Sequence, residues 1–459
     1  MNDGATNVAG DAPNRADRGR LLAIGDIHLG TRPSRVPAIV AEGLGGGIAS
    51  LTPAAALASA VELAVRERVD GVLFAGDVVE SNNARFEALP ALEGAVRRLA
   101  EAGIPAVGVA GNHDVDALPR VADLIEGFRL LGRGGQWEST VLDANAAPLA
   151  EIVGWSFPEQ RVTTSPVRAL LDTPLAPAAA GVPRIGLLHG DLGASGGHYA
   201  PIARQELDDA GLDAWLLGHI HKPSLAAGAT PCGYLGSLVG LDPTETGAHG
   251  PWMIRLSQGG AIVPELLPTA PLRWEAVDVR PARDLAPDDV EDLLFAEAEA
   301  TARRLVDEGS KHRVLGLRLH LVGPVDAIRA IRTRIGREAW RDVQRSVADT
   351  TVFIEQVSDR LEVAADLHEL ARGEDPPGLL ARKLLLLEEA GDERRALLDR
   401  TRTALAAFAN DARFTPLDDL RDAGDPLSDE ALVDYLQQSG METLQKLLGR
   451  ATEHSEADA

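Results

Sequence analysis

The chain has 459 residues, 45% hydrophobic and 25% charged, a globular balance that excludes fibrous and disordered classes. That length exceeds one ordinary core, so two or three folded units are expected. A formal net charge of -24 excludes nonspecific nucleic-acid binding over the whole surface, because most of it would repel a phosphate backbone.

The N-terminus, MNDGATNVAGDAPNRADRGR, lacks an apolar signal core and reads as a disordered tail over residues 1–19. From LLAIGD at 21–26, short apolar runs alternate with amphipathic segments: AAALASAVELAVRERV, GVLFAGD, FEALPALEGAVRRLAEAG, then AVGVAGNHD at 106–114. That alternation predicts an α/β domain with chemical residues just past the carboxyl ends of strands. Further strands are predicted around AEIVGWSF, RIGLLHGD and AWLLGHIH, and a Gly- and Pro-rich stretch from 233 closes this domain near residue 270. The rhythm then changes to a small βαβαβ unit, with helices predicted over 287–309 and 325–347 and strands at WEAVDV, HRVLGLRLHLVG and TTVFIEQV. From about 366 the pattern is helical, with a loop around RFTPLDDLRDAGDP. The run Leu384 to Leu387 covers all sides of a helix turn and needs a partner surface, either in its own domain or on another protein.

Charge is segregated along the chain. Residues 311–345 hold nine Lys or Arg against three acidic residues, whereas residues 366–459 hold 21 acidic against 11 basic. Any DNA contact is therefore expected to be local, with Arg329, Arg332 and Arg337 as candidates and a solvated helix face as the plainer reading. Cys232 is the only cysteine, so no internal disulfide and no CxxC metal site can form. A soluble, cytoplasmic protein is expected, since no apolar run of about 18 residues occurs.

Five glycine-flanked blocks carry the chemistry: GDIHLG (25–30), GDVVE (76–80), GNHD (111–114), LLHGD (187–191) and GHIHK (218–222). Strand alternation puts Asp26 and His28 on one face, and His219 and His221 repeat the device. Carboxylates, a carboxamide and five imidazoles without sulfur suit manganese, iron or zinc. So many ligands imply two ions, which about 4 Å apart would clamp a phosphate and bring the pKa of a shared water to about 7. No GxxxxGK[ST] loop occurs.

In order and spacing these blocks resemble the calcineurin-like metallophosphoesterases. The resemblance implies a two-sheet metallophosphoesterase sandwich flanked by helices over 20–270, a small α+β capping domain over 271–365 and a helical partner-binding region over 366–459. It implies that Asp26, His28 and His221 hold one ion, that Asp77 bridges, and that Asn112, His189 and His219 hold the second. His113 is implied as the catalytic histidine and Asp114 as the residue orienting its ring.

The segments HYAPIARQEL, GLDAWLLGHIHKP and GYLGSLVGLDPTETGAHGPW are similar to the nuclease subunit of the SbcCD complex and to YhaO-like DNA repair exonucleases. That likeness implies a manganese-dependent DNA nuclease, an SMC-like coiled-coil ATPase docked on the C-terminal helices, and a homodimer formed through about 84–101 and 117–130. A small-nucleotide or metabolite phosphodiesterase, favoured by the acidic charge, and a non-catalytic ATPase-binding scaffold are the rival readings. The chain departs from the nuclease pattern at Glu80, where a histidine that helps the exonuclease reaction usually stands. Asn82 and Arg85 are candidates to take over its phosphate contacts.

Overall fold

The apolar runs ahead of the ligand blocks are strands buried on both faces, which is why they read as continuous rather than alternating. The computed structural model describes residues 17–80, 87–176, 179–193, 196–409 and 427–457. Residues 1–16 of the expected tail, Asn82, Arg85 and the expected loop at 413–426 lie outside the described residues, while residues 17–19, expected in the tail, are strand paired with residues 256–257.

In chain order, β1 (Asp17–Ile24), β2 (Gly71–Ala75), β3 (Ala106–Val109) and β4 (Phe128–Leu130) are followed by β5 (Glu138–Ala144), β6 (Ala147–Trp155) and β7 (Arg184–His189). A short parallel pair, β8 (Asp191–Leu192) and β9 (Pro201–Ile202), precedes β10 (Ala214–Gly218), β11 (Cys232–Tyr234), β12 (Trp252–Ser257) and β13 (Ile262–Leu266). They build a six-stranded sheet in the order β13-β12-β1-β2-β3-β4 and a five-stranded sheet in the order β11-β10-β7-β6-β5. The ligand-bearing strands β1, β2 and β3 run parallel in one sheet, and β7 and β10 run parallel in the other.

The two-residue period of each strand explains the layering. Leu21, Ala23, Leu73, Ala75, Val107 and Val109 pack against Ile152, Ile185, Leu187, Ala214 and Leu216 of the second sheet. Their neighbours Leu22, Ile24, Val72 and Phe74 face a separate core under the helices Pro53–Glu67 and Leu89–Glu101. The outer face of the second sheet buries Trp155 and Trp215 against Val167, Leu170 and Leu207. Helix Pro53–Glu67 forms where it does because Pro53 sits in the first turn, where its missing N–H costs nothing. Ala56, Leu57, Ala60, Val61 and Ala64 then repeat at helical spacing on its buried side.

The chain divides into two compact units, one of residues 1–277, 295–319 and 339–357 and one of residues 278–294, 320–338 and 358–459. A third sheet comprises β14 (Leu272–Val279), β15 (Val314–Val325), β16 (Gln344–Val347) and β17 (Thr350–Val363), ordered β14-β15-β17-β16. The helix predicted over 325–347 is confined to Ile328–Ile335. Its apolar stripe of Ile328, Ile331 and Ile335 stops at Gly336, a poor helix former. Residues 344–347 instead pair antiparallel with 350–353, so a β-hairpin replaces the predicted second half of the helix.

The predicted helix over 381–408 is likewise two helices, Pro376–Glu388 and Asp392–Ala409, broken at Glu389–Gly391. With Asp429–Ala457 they cover the leucine run: Leu384 and Leu387 are buried with Leu398, Leu432 and Leu444. The chain's own helices thus supply a surface for that run. Among the described residues, no helix is long and apolar enough to cross a membrane.

Candidate metal centre

All five ligand blocks sit at the carboxyl ends of parallel strands. Asp26 follows β1, Asp77 follows β2, Asn112 and His113 follow β3, His189 ends β7, and His219 and His221 follow β10. Turning a chain end inward this sharply requires unusual backbone. Asp26 (φ 32), His28 (φ 52), Asp77 (φ 48) and His219 (φ 109) all occupy positive φ, a region non-glycine residues rarely adopt. Two flanking glycines are needed for space. A Cβ on Gly111 would overlap Asp77 Oδ1, and one on Gly218 would overlap the Ala75 carbonyl.

The side chains converge in three overlapping groups. Asp26, His28 and His221 offer ligand atoms within 4.8 Å of one another, and so do Asp26, Asp77 and His189, and His28, Glu80 and His113. His28 Nε2 lies 3.1 Å from His221 Nε2, and His189 Nε2 lies 3.0 Å from Asn112 Oδ1. Separations of about 3 Å suit two ligands that each stand about 2.1 Å from a shared ion. Asp77 Oδ2 lies 3.8 Å from His28 Nε2 and 3.4 Å from His189 Nε2, within reach of both histidines, as a bridging carboxylate must. The His219 ring packs on the His189 ring at 5.3 Å.

Each inner imidazole is held from its far nitrogen, leaving Nε2 for the site. His28 Nδ1 faces Glu80 Oε2 at 3.3 Å, His221 Nδ1 faces Glu245 Oε1 at 2.9 Å, and His189 Nδ1 faces the Ala75 carbonyl at 3.1 Å. Glu245 is braced in turn, its Oε2 accepting from the Ser237 hydroxyl and the Leu241 N–H. His113 is half-exposed, and its Nδ1 stands 3.5 Å from Glu80 Oε2. Its backbone N–H donates to Asp77 Oδ1. The Asp114 carboxylate accepts from the backbone N–H groups of Val78, Val79 and Gly111, tying the second and third blocks together.

The electrostatics fit a cation. Burial and the neighbouring Asp77 charge push Asp26 up to about 7, against the pull of His221 and His28. Burial and Asp77 also hold Asp114 well above the usual carboxylate range. Burial pulls His189 down to about 4, which keeps it a neutral ligand at ordinary pH. Burial alone would lower His28 and His221, but the facing carboxylates Glu80 and Glu245 raise both overall. Crowded buried acids beside neutral imidazoles form a donor set that positive charge would relieve. The residues therefore fit divalent metal.

The nine residues taken from the ligand blocks meet in this one place. Arg329, Arg332 and Arg337 belong to the other compact unit, in and just after helix Ile328–Ile335. Arg332 is spent on Asp359 at 2.8 Å, while Arg329 and Arg337, with Arg334, line a cavity of about 410 Å³. Glu245 is an acid in a Gly- and Pro-rich turn that nothing local in the sequence marks as a partner of His221. Glu80, a departure from the nuclease pattern, faces two imidazoles, His28 and His113. Tyr199 places its ring 5.3 Å from that of His219. His249 is a buried turn residue bonded to Ser237 and to the Glu245 carbonyl.

Residues 19–223 match the family described as Calcineurin-like phosphoesterase. The chain is 29% identical over 272 residues to the uncharacterized metallophosphoesterase YhaO of Bacillus subtilis, covering 54% of this chain and 60% of that protein. It is 26% identical over 271 residues to the DNA double-strand break repair protein Mre11 of Aeropyrum pernix, covering 57% of this chain and 64% of the relative. It thus spans less than two thirds of the length of either. Among solved structures, a dimetal phosphatase from Danio rerio is 14% identical with a TM-score of 0.33, over 53% of this chain and 94% of that one.

Proposed function

We propose that this chain, which carries a calcineurin-like phosphoesterase domain over residues 19–223, is a manganese-dependent DNA nuclease that works with an SMC-like ATPase. The phosphoesterase chemistry belongs to the family; the polymer substrate, the metal and the ATPase are our reading. The observation that carries it is Asp77 Oδ2 standing between His28 and His189, with the half-exposed His113 nearby. Asp26, His28, His221, Asp77, Asn112, His189 and His219 would hold two divalent ions, which would supply the charge to neutralise a phosphodiester and to bring a water's pKa to about 7. His113, held by its N–H on Asp77 and by Glu80 at Nδ1, gives a proton from Nε2 to the departing oxygen as the phosphorus–oxygen bond breaks. The attacking water supplies the new oxygen on phosphorus, so one phosphodiester becomes a phosphomonoester and a hydroxyl.

DNA as the substrate is supported by the Mre11 relatives, which are double-strand break repair proteins. The C-terminal helices, with Leu379 and Tyr435 exposed, are the surface we assign to the ATPase. A phosphodiesterase for small nucleotides is the second reading, favoured by the net charge of -24. The deciding experiment is cleavage of linear and circular, single- and double-stranded DNA with manganese, beside a chromogenic diester and the His113→Ala control. DNA cleavage lost in the control supports the nuclease. Turnover of the diester alone would leave only the small-molecule reading.

A further inference from the structure

The two halves of the centre are backed by different chemistry. Behind the first group stand two carboxylates: Glu245 on His221 at 2.9 Å and Glu80 on His28 at 3.3 Å. Behind the second, His189 Nδ1 faces the neutral Ala75 carbonyl at 3.1 Å with the Asp26 carboxylate farther off at 3.8 Å, and Asn112 is itself neutral. His219 packs against the Tyr199 ring and feels the Asp191 charge without a carboxylate hydrogen-bonded to it among the described residues. A carboxylate behind a ligand imidazole fixes its tautomer and makes it a stronger donor, and its charge adds to the attraction on a cation. A carbonyl fixes the tautomer without a full charge. The Glu245 brace is built rather than incidental. Its second oxygen takes the Ser237 hydroxyl at 2.9 Å and the Leu241 N–H at 3.1 Å, and its carbonyl lies 3.1 Å from His249 Nε2.

We propose that Glu245 and Glu80 are positioning residues that make the halves unequal. The Asp26–His28–His221 group then binds a divalent cation roughly tenfold or more tightly than the Asn112–His189–His219 group, and the protein carries one ion when metal is limiting. This rests on the metal-ligand assignment and not on the choice of substrate.

Titration of the full chain with manganese alone, followed by calorimetry and by metal analysis after dialysis, tests it. The wild type is expected to bind in two steps. Glu245→Ala should weaken the tight step about 10- to 100-fold and spare the weak one, whereas Glu245→Gln, which keeps an acceptor but loses the charge, should fall between. His189→Ala should remove the weak step and keep the tight one. Long-range proton–nitrogen spectra of the metal-free protein should show His221 protonated at Nδ1, and a mixture of tautomers in Glu245→Ala. Should Glu245→Ala not fold, Ser237→Ala, which frees the second carboxylate oxygen, should still weaken the tight step severalfold.

Two equal steps in the wild type, or a tight step unchanged by both Glu245→Gln and Ser237→Ala, would overturn the proposal. Unequal binding without cleavage of any phosphodiester sinks the proposed function and leaves this inference standing. Cleavage with equal binding does the reverse.

Discussion

The ligand cluster and the arginine-rich segment 311–345 both stand out in the sequence as concentrations of charge, and the fold treats them in opposite ways. At the cluster, acids are buried together, and burial with the Asp77 charge outweighs the pull of His221 and His28, so Asp26 is pushed up to about 7. In the segment, Arg318, Arg332, Arg334 and Arg345 each meet a carboxylate from outside it: Glu355, Asp359, Glu291 and Glu299. Charge the fold leaves uncompensated and buried marks chemistry, whereas charge it cancels locally marks architecture. Exposed pairs of the second kind contribute about 0–1 kcal/mol each.

The contrast can be broken most directly at His113. His113→Ala is expected to cut kcat roughly 10²- to 10⁴-fold on DNA and on a chromogenic diester, with two manganese ions still bound. A loss traced to metal content would shift the role from proton transfer to ion binding.

The pH response is next in size. Asp26 is an acid whose folded value lies above its unfolded one, so the metal-free protein holds that contribution below pH 4 and loses it as pH rises toward 7. Metal binding needs the same group deprotonated, and the raised His28 and His221 deprotonated too, so it strengthens over that rise. The gain in melting temperature on adding manganese should therefore grow from pH 5.5 to 7.5. A gain independent of pH would mean that Asp26 is not displacing a proton.

The smallest effect is expected at the arginines. Neutralising Arg329, Arg332 and Arg337 together should weaken DNA cleavage severalfold, flatten its salt dependence and spare the small diester. Equal loss on both substrates, or none on either, would place the segment with the architecture alone.

These two regions also show what one sequence makes legible. The convergence of Asp26, His28, Asp77, Asn112, His189, His219 and His221 was readable because each lies in a short glycine-flanked block at a strand end, where local pattern and chemistry coincide. The sandwich was readable because continuous apolar runs separated by amphipathic ones leave few ways to bury both faces. Glu245 was not, since its meaning lies in His221, 24 residues away, and in a turn geometry no local pattern encodes. The cancellation of Arg332 by Asp359 was hidden for the same reason, because a net count over a window ignores acids that folding brings in. The hairpin at residues 344–353 was lost to a charge pattern that looked helical, since pairing with β17 outweighs a weak propensity.

The left-handed backbone at Asp26, His28, Asp77 and His219 has a practical side. Each such position stores on the order of 1–3 kcal/mol, which glycine would release. Asp77→Gly is expected to give a metal-free protein that melts higher and does nothing. A laboratory selection that rewards heat resistance alone would therefore enrich glycine at these four sites and return a collection of sturdy, inert proteins.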